Sequence, residues 1–247
     1  MIYFCIDIGN TRSKIGLFSA EGLQELYAIE TPILQEKMQE ILAFYPKNTP
    51  ISVAYMSTAQ EMNLETWAIW QPFSPKIVKI EAHFPFPIHN HYATPLTLGT
   101  DRMVAVIAAI RQAKTTNILV ISAGTALTYN FADTKGNYWG GAISLGLQMR
   151  FRALHAFTAR LPLISERKHV PLVGDSTENS LLSGVINGTI AEIRGIILGY
   201  QQTYPAEIEL FLTGGDAVFL AEKIQDIPFI IDETLALKGI FALISEK

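Results

Sequence analysis

The sequence predicts a mixed α/β protein built from two similar halves, and three observations carry that reading. Two apolar strands end in nearly the same small turn, Ile6-Asp7-Ile8-Gly9-Asn10-Thr11 and Ile121-Ser122-Ala123-Gly124-Thr125-Ala126. Each turn is followed by another strand-like run, residues 13–18 and 127–131, so each reads as a hairpin with glycine and hydroxyl or amide side chains at its tip. A third apolar run, residues 208–212, ends in the turn Thr213-Gly214-Gly215-Asp216. Between these turns, helical periodicity alternates with short apolar strands, which is the grammar of layered α/β proteins.

The elements follow in order. After the first hairpin, residues 34–45 carry apolar side chains at helical spacing, 51–55 form a short apolar strand, and 59–70 read as helix. Trp67 and Trp70 lie one turn apart, which points to a packed face rather than a ligand platform. A strand over 77–80 leads into the irregular stretch 82–98, rich in Pro, His and aromatic residues; a loop of that length in a compact domain is often functional. Residues 103–113 read as a helix, with Thr100 placed as its cap and Asp101 in its first turn. The polar stretch 114–117 makes a hinge, so two domains are expected, 1–114 and 115–247.

Beyond the hinge the same pattern restarts: a strand over 118–121, the second glycine turn, the strand 127–131, a turn at 133–137 and a strand over 138–143. Residues 177–204 read as one long helix that is apolar on more than one face. Its glycines, Gly184, Gly188, Gly195 and Gly199, fall at intervals of four in two pairs. Glycine weakens a helix, so this spacing implies close backbone approach, either within the fold or against a second subunit.

Bulk properties narrow the function. A chain of 247 residues that is 49% hydrophobic can bury large cores. A formal charge of -4 and the lack of any basic block argue against nucleic-acid binding. The single cysteine, Cys5, sits in the apolar first strand, which excludes an internal disulfide and suggests core packing in a reducing compartment. No signal-peptide pattern opens the chain and no run of about 20 apolar residues suggests a membrane span, so a cytoplasmic protein is expected.

Turns of this kind suit phosphate. Glycine lets the backbone approach an anion, while main-chain N–H groups and Thr or Asn side chains donate to it. Gly9, Asn10, Thr11 and Lys14, with Ile8, Arg12 and Ser13 in the same hairpin, are candidates to line a nucleotide's phosphates, and Thr125 serves the second turn. Asp7, at the end of a buried strand beside the first turn, offers a ligand for Mg²⁺; the bland alternative is a turn-stabilising Asx interaction. The second turn has Ser122 where the first has Asp7. His89 and His91 alternate as metal ligands might, but no third ligand accompanies them, so loop packing or exposure is expected.

In order and spacing these motifs resemble those of the type III pantothenate kinases, members of the actin, sugar kinase and Hsp70 ATPase superfamily. The residues that carry the likeness are Asp7-Ile8-Gly9-Asn10-Thr11, then Asn90-His91-Tyr92 with Pro95, then Leu98-Gly99-Thr100-Asp101-Arg102. Gly124-Thr125-Ala126 with Thr128, Gly140-Gly141-Ala142-Ile143, Gly174 with Thr177, and Thr213-Gly214-Gly215 continue it nearly end to end. The resemblance implies two RNase H-like domains with mixed sheets flanked by helices, a homodimer, and transfer of the γ-phosphate of ATP to pantothenate. It implies ATP with Mg²⁺ and a monovalent cation, K⁺ or ammonium, as cofactors.

By the same resemblance Asp101 is the proton acceptor, and Tyr92, Gly99, Thr100, Asp101, Arg102 and Thr177 form the substrate site. Arg102 offers a planar fork suited to pantothenate's carboxylate, or else a surface ion pair. Asp101 alone reads equally as a complement to the helix dipole, and Thr177 as a helix cap. The family pattern breaks at Ser122 and Asn130, where relatives carry Asp. The first is the family's ligand for the monovalent cation, and a serine hydroxyl is neutral and weaker, so a reduced K⁺ requirement is expected. Two rival readings keep the fold: a sugar or acetate-type kinase, and a nucleotide-binding regulator that has lost efficient chemistry.

Overall fold

The structure is a computed structural model that describes residues 1–58, 67–73, 77–114, 117–164 and 170–245. It divides into two compact units, one of residues 1–112 with 234–247 and one of residues 113–233. The last stretch departs from the expected 115–247 domain, because the C-terminal helix packs with the first unit.

In the first unit, β1 (Ile2–Ile8) and β2 (Arg12–Ser19) form the expected hairpin, and β3 (Gly22–Glu30) extends it antiparallel. A 3-10 turn over Thr31–Ile33 leads into α1 (Leu34–Ala43). β4 (Ile51–Ser57) runs parallel to β1, and β5 (Ile77–Lys79) parallel to β4, giving the order β3-β2-β1-β4-β5. Most of the helix expected over 59–70 lies outside the described residues, but Trp70 is fully buried with its ring edge-on to Phe4 at 4.9 Å, so a packed face is what it provides. The expected loop 82–98 holds β6 (His89–Asn90) and a 3-10 turn over Pro95–Thr97. The following helix, α2 (Thr100–Gln112), begins at Thr100 itself, so that residue is helical rather than the cap.

Strand alternation sends successive side chains of β1 to opposite faces. Phe4, Ile6 and Ile8 join Ile15, Leu17 and the α1 residues Leu34, Met38 and Ile41 in one core. Cys5 points the other way, into a core shared with Val104 and Ile107 of α2. Its burial pushes the thiol's pKa up, as expected of a packing residue. Asp7 shares the face of Cys5 by period 2, which is the face that α2 covers.

The second unit builds β7 (Asn117–Ala123), β8 (Ala126–Ala132) and β9 (Asn137–Leu145) as an antiparallel meander. α3 (Leu147–Ala156) follows directly. The long helical segment comprises α4 (Thr177–Leu182), a π-helical turn over Ser183–Asn187 and α5 (Gly188–Thr203). β10 (Ile208–Thr213) pairs parallel with β7, α6 (Ala217–Lys223) follows, and β11 (Phe229–Ile231) pairs parallel with β10, for the order β11-β10-β7-β8-β9. α7 (Leu235–Ile244) closes the chain and belongs to the first unit. There Leu237 and Ile240 join the core of Cys5, and Gly239 lies so close to α2 that a Cβ would sit 2.0 Å from Val104 O.

Residues 177–203 have the length and composition of a membrane span, the one such helix among the described residues, which the sequence reading did not anticipate. Its Leu182, Ile186, Ile193 and Ile197 are buried with Leu119, Tyr129 and Phe131 of the sheet. Burying each large apolar side chain contributes about 1.5–3 kcal/mol, which a glycine-rich helix needs. The four glycines do not serve close packing within the unit: a Cβ at Gly184, Gly188, Gly195 or Gly199 would meet nothing within 4 Å.

Candidate active site

The first glycine turn is held from behind. A Cβ on Gly9 would lie 2.5 Å from Arg12 O, so only glycine closes the turn this tightly. Thr31 Oγ1 donates to Gly9 O at 2.7 Å and Thr31 N to Thr11 O at 3.1 Å, while Thr58 N donates to Ile8 O at 3.0 Å. Asn10, Thr11 and Arg12 are exposed at the tip, whereas Ser13 is fully buried with its hydroxyl 2.9 Å from Thr31 Oγ1. Ser13 therefore supports the turn through Thr31. Thr31 and Thr58 escaped the sequence reading, since they lie far along the chain and no local motif ties them to the turn.

Asp7 pairs across the hairpin with Lys14, and the β1 face places it toward the start of α2. Its pKa is raised to about 7, by burial first and the charge of Asp101 second, against the opposing charge of Lys14. Asp101 sits in the first turn of α2. Burial pushes its carboxyl up, while the Arg102 N–H and guanidinium hold it back. The two carboxylates named from separate motifs thus feel each other's charge in one unit. Gly99 makes room for the second, because a Cβ there would lie 2.5 Å from Asp101 Oδ1.

Arg102 is buried, with its guanidinium carbon 5.6 Å from the Tyr92 ring centroid. That cation–π contact favours the pocket reading over a surface ion pair. Tyr92 N is held by Asn90 Oδ1 at 2.9 Å, which fixes the chain entering the site. Thr100, the first residue of α2, lies beside them in sequence.

The remaining candidates belong to the second unit. Ser122, one residue before the end of β7, pairs with Thr128, and Thr125 is exposed in the turn between β7 and β8. Asn130 is fully buried; its Nδ2 donates to Thr128 Oγ1 at 3.1 Å and its Oδ1 accepts from Tyr138 Oη at 3.1 Å. A carboxylate there would be a buried charge, so the amide suits these surroundings. Thr177 is exposed at the start of α4, and the cap is Ser176, whose Oγ accepts from Asn179 N at 3.2 Å. Capping therefore does not explain Thr177.

His89 and His91 are exposed, as expected, and no group of three or more metal-ligating side chains exists among the described residues. An Mg²⁺ site built from one or two carboxylates plus nucleotide phosphates needs no such cluster, and Asp7 beside Asp101 fits that donor set. A monovalent cation fits less well, since Ser122 and Asn130 supply no negative charge. A cavity of about 740 Å³ lined by Arg194, Tyr204, Glu209 and Asp226 shares no residue with the candidate set.

Two units with mixed sheets and strand-ending glycine turns define the actin-like ATPase and sugar kinase fold. Solved structures agree on the fold: a conserved putative Baf family transcriptional activator from Campylobacter jejuni is similar with a TM-score of 0.62, 21% identity and 98% coverage of both chains. Glucokinase from an Antarctic psychrotroph is similar with a TM-score of 0.54 and 12% identity, covering 100% of this chain and 99% of its own. The chain belongs to the type III pantothenate kinase family, whose model matches residues 3–198. Relatives bearing that name include proteins of Flavobacterium johnsoniae, 39% identical over 91% of this chain and 90% of theirs, and of Bacteroides fragilis, 39% identical over 95% and 94%.

Proposed function

We propose that the protein transfers the γ-phosphate of ATP to the primary hydroxyl of pantothenate, giving 4′-phosphopantothenate at the start of coenzyme A biosynthesis. The observation that supports this best is the coupled pair Asp7 and Asp101 beside the Tyr92–Arg102 contact, in a chain of this family. Phosphoryl transfer needs positioning and charge neutralisation more than covalent chemistry. The hairpin from Asp7 to Lys14 in the first unit and the turn at Thr125 in the second each offer N–H groups and short polar side chains suited to phosphate. Asp7 would hold Mg²⁺, which when bound neutralises charge on the phosphates.

Arg102 would take the substrate carboxylate, with Tyr92, Gly99 and Thr100 around it in the first unit; Thr177 of the second unit is a substrate residue by family likeness alone. Asp101 orients the attacking hydroxyl and accepts its proton late in the transfer. Its raised pKa makes it a better base than an exposed carboxylate.

Because Ser122 is neutral, the protein depends less on K⁺ than relatives that carry Asp there. It acts as a cytoplasmic homodimer of two-domain subunits, without nucleic-acid or membrane partners. The open glycine face of α4 to α5 supports a subunit contact there, since an added Cβ at those positions meets nothing within its own chain. An ADP-release assay tests the function: turnover with pantothenate and none with glucose or acetate is expected. Turnover with a hexose instead would favour the sugar-kinase reading, and no turnover with any acceptor the regulator reading.

A further inference from the structure

The second glycine turn is gripped from two sides by glycines that lie outside it. Gly146, between β9 and α3, donates its N–H to Thr125 O at 3.1 Å. A Cβ there would lie 2.1 Å from Gly124 O and 2.4 Å from Thr125 O. Gly214, at the end of β10, has φ of +99°, and a Cβ on it would lie 2.3 Å from Ala123 O and 2.8 Å from Ala123 N. Close by in sequence, Asp216 N donates to Ala123 O at 3.0 Å. Within the turn, Gly124 N donates to Ala126 O at 3.0 Å.

Gly124 itself is under no such pressure, since the nearest atom to a Cβ there is Ala126 O at 3.9 Å. The steric demand for glycine therefore falls on the two flanking positions. Every contact is backbone against backbone, so no side chain can rotate to relieve an added methyl group; the turn itself must shift.

We propose that Gly146 and Gly214 are positioning residues that hold the Gly124–Thr125 turn in its phosphate-gripping shape before nucleotide arrives. This rests on the kinase reading of that turn. The carbonyls of Ala123 and Thr125 are taken by Asp216 and Gly146, so they point into the supporting backbone. The turn then meets the nucleotide already shaped and loses little on binding. A group misplaced by about 1 Å costs up to roughly 100-fold in such sites.

The test compares Gly146→Ala with Gly141→Ala, whose Cβ would lie 1.9 Å from Tyr129 O in mid-sheet, away from the turn. Affinity for a Mg²⁺-bound, non-hydrolysable ATP analogue is measured by calorimetry, with circular dichroism to check folding. The expected result is affinity weakened about 10-fold or more in Gly146→Ala and changed less than about twofold in Gly141→Ala, with the pantothenate KM of Gly146→Ala unchanged. Unchanged affinity in Gly146→Ala, or equal loss in both, overturns the proposal.

If either variant does not fold, amide hydrogen exchange on the wild-type protein without nucleotide decides. Protected amides at Gly124, Gly146 and Asp216 are expected, and fast exchange there overturns the preformed turn. A wild-type protein that binds the analogue but does not phosphorylate pantothenate sinks the substrate assignment and leaves the clamp standing; one that binds no nucleotide overturns both.

Discussion

Replacing Asp7 by Asn should stabilise the protein in the absence of nucleotide while removing its activity. In the fold, burial and the charge of Asp101 raise this carboxyl from an ordinary 3.8 to about 7. The sign follows from proton linkage. Between about pH 4 and pH 7 the folded state holds a proton that the unfolded chain has released, so stability falls as pH rises through that window. Above it the full cost of a buried carboxylate is present; below about pH 4 the cost is absent.

The span from 3.8 to about 7 corresponds to about 4 kcal/mol at roughly 1.4 kcal/mol per tenfold change. Asp7 keeps some surface exposure, and water relaxes part of that cost, so a gain of about 1–3 kcal/mol is expected for Asp7→Asn at pH 8. Urea denaturation of both proteins at pH 8 and pH 4.5, without Mg²⁺ or ATP, measures it. The variant should be the more stable at pH 8, with the difference shrinking towards pH 4.5. A variant equal to or weaker than wild type at pH 8, or a gain that does not depend on pH, would rule out a buried, raised Asp7 carboxyl as a source of instability. Such a trade of stability for a charged site is common where chemistry requires it.

Asp101→Asn should abolish turnover while pantothenate still binds, by calorimetry, within a few-fold of wild type; unchanged turnover removes Asp101 from the chemistry. Rates in K⁺ and Na⁺ should differ little, and Ser122→Asp should increase the K⁺ preference; a strong K⁺ requirement untouched by Ser122→Ala contradicts the reduced dependence. At the 133–137 turn, burial pushes Asp133 up, but hydrogen bonds from the side chains of Asn137 and Trp139 and the amides of Asn137 and Lys135 outweigh it, leaving a pKa of about 2. Asp133→Ala should therefore cost about 1–2 kcal/mol above pH 4, a cost that fades as pH falls from about 4 towards 2, with Trp139 fluorescence as the readout.

Much of the fold was legible because the strands are short apolar runs closed by glycine turns, a local signal. Both hairpins, α1, α2 and the helical segment running from α4 through α5 lie within a few residues of where periodicity put them. The fate of α7 was not legible, since its apolar residues specify burial but not which core they enter. Gly239 against Val104 O is a contact between residues far apart in sequence.

The candidate site divides the same way. Asp7 and Asp101 could each be named from a motif, but their mutual repulsion needed the fold. Ser13 was named with its hairpin, yet strand alternation buries it. Thr31, Thr58 and Gly146 support the turns through bonds that no spacing announces, and the helix glycines could not be told apart as packing or open surface until their surroundings were known.

Product analysis tests the pantothenate kinase activity without relying on any binding measurement. Purified protein is incubated with ATP, Mg²⁺ and pantothenate, and the phosphorylated product is located by phosphorus NMR. Phosphate on the primary hydroxyl of pantothenate is expected, formed by the wild-type protein and not by Asp101→Asn. ATP consumed without that product, or the same product from Asp101→Asn at the wild-type rate, would contradict it.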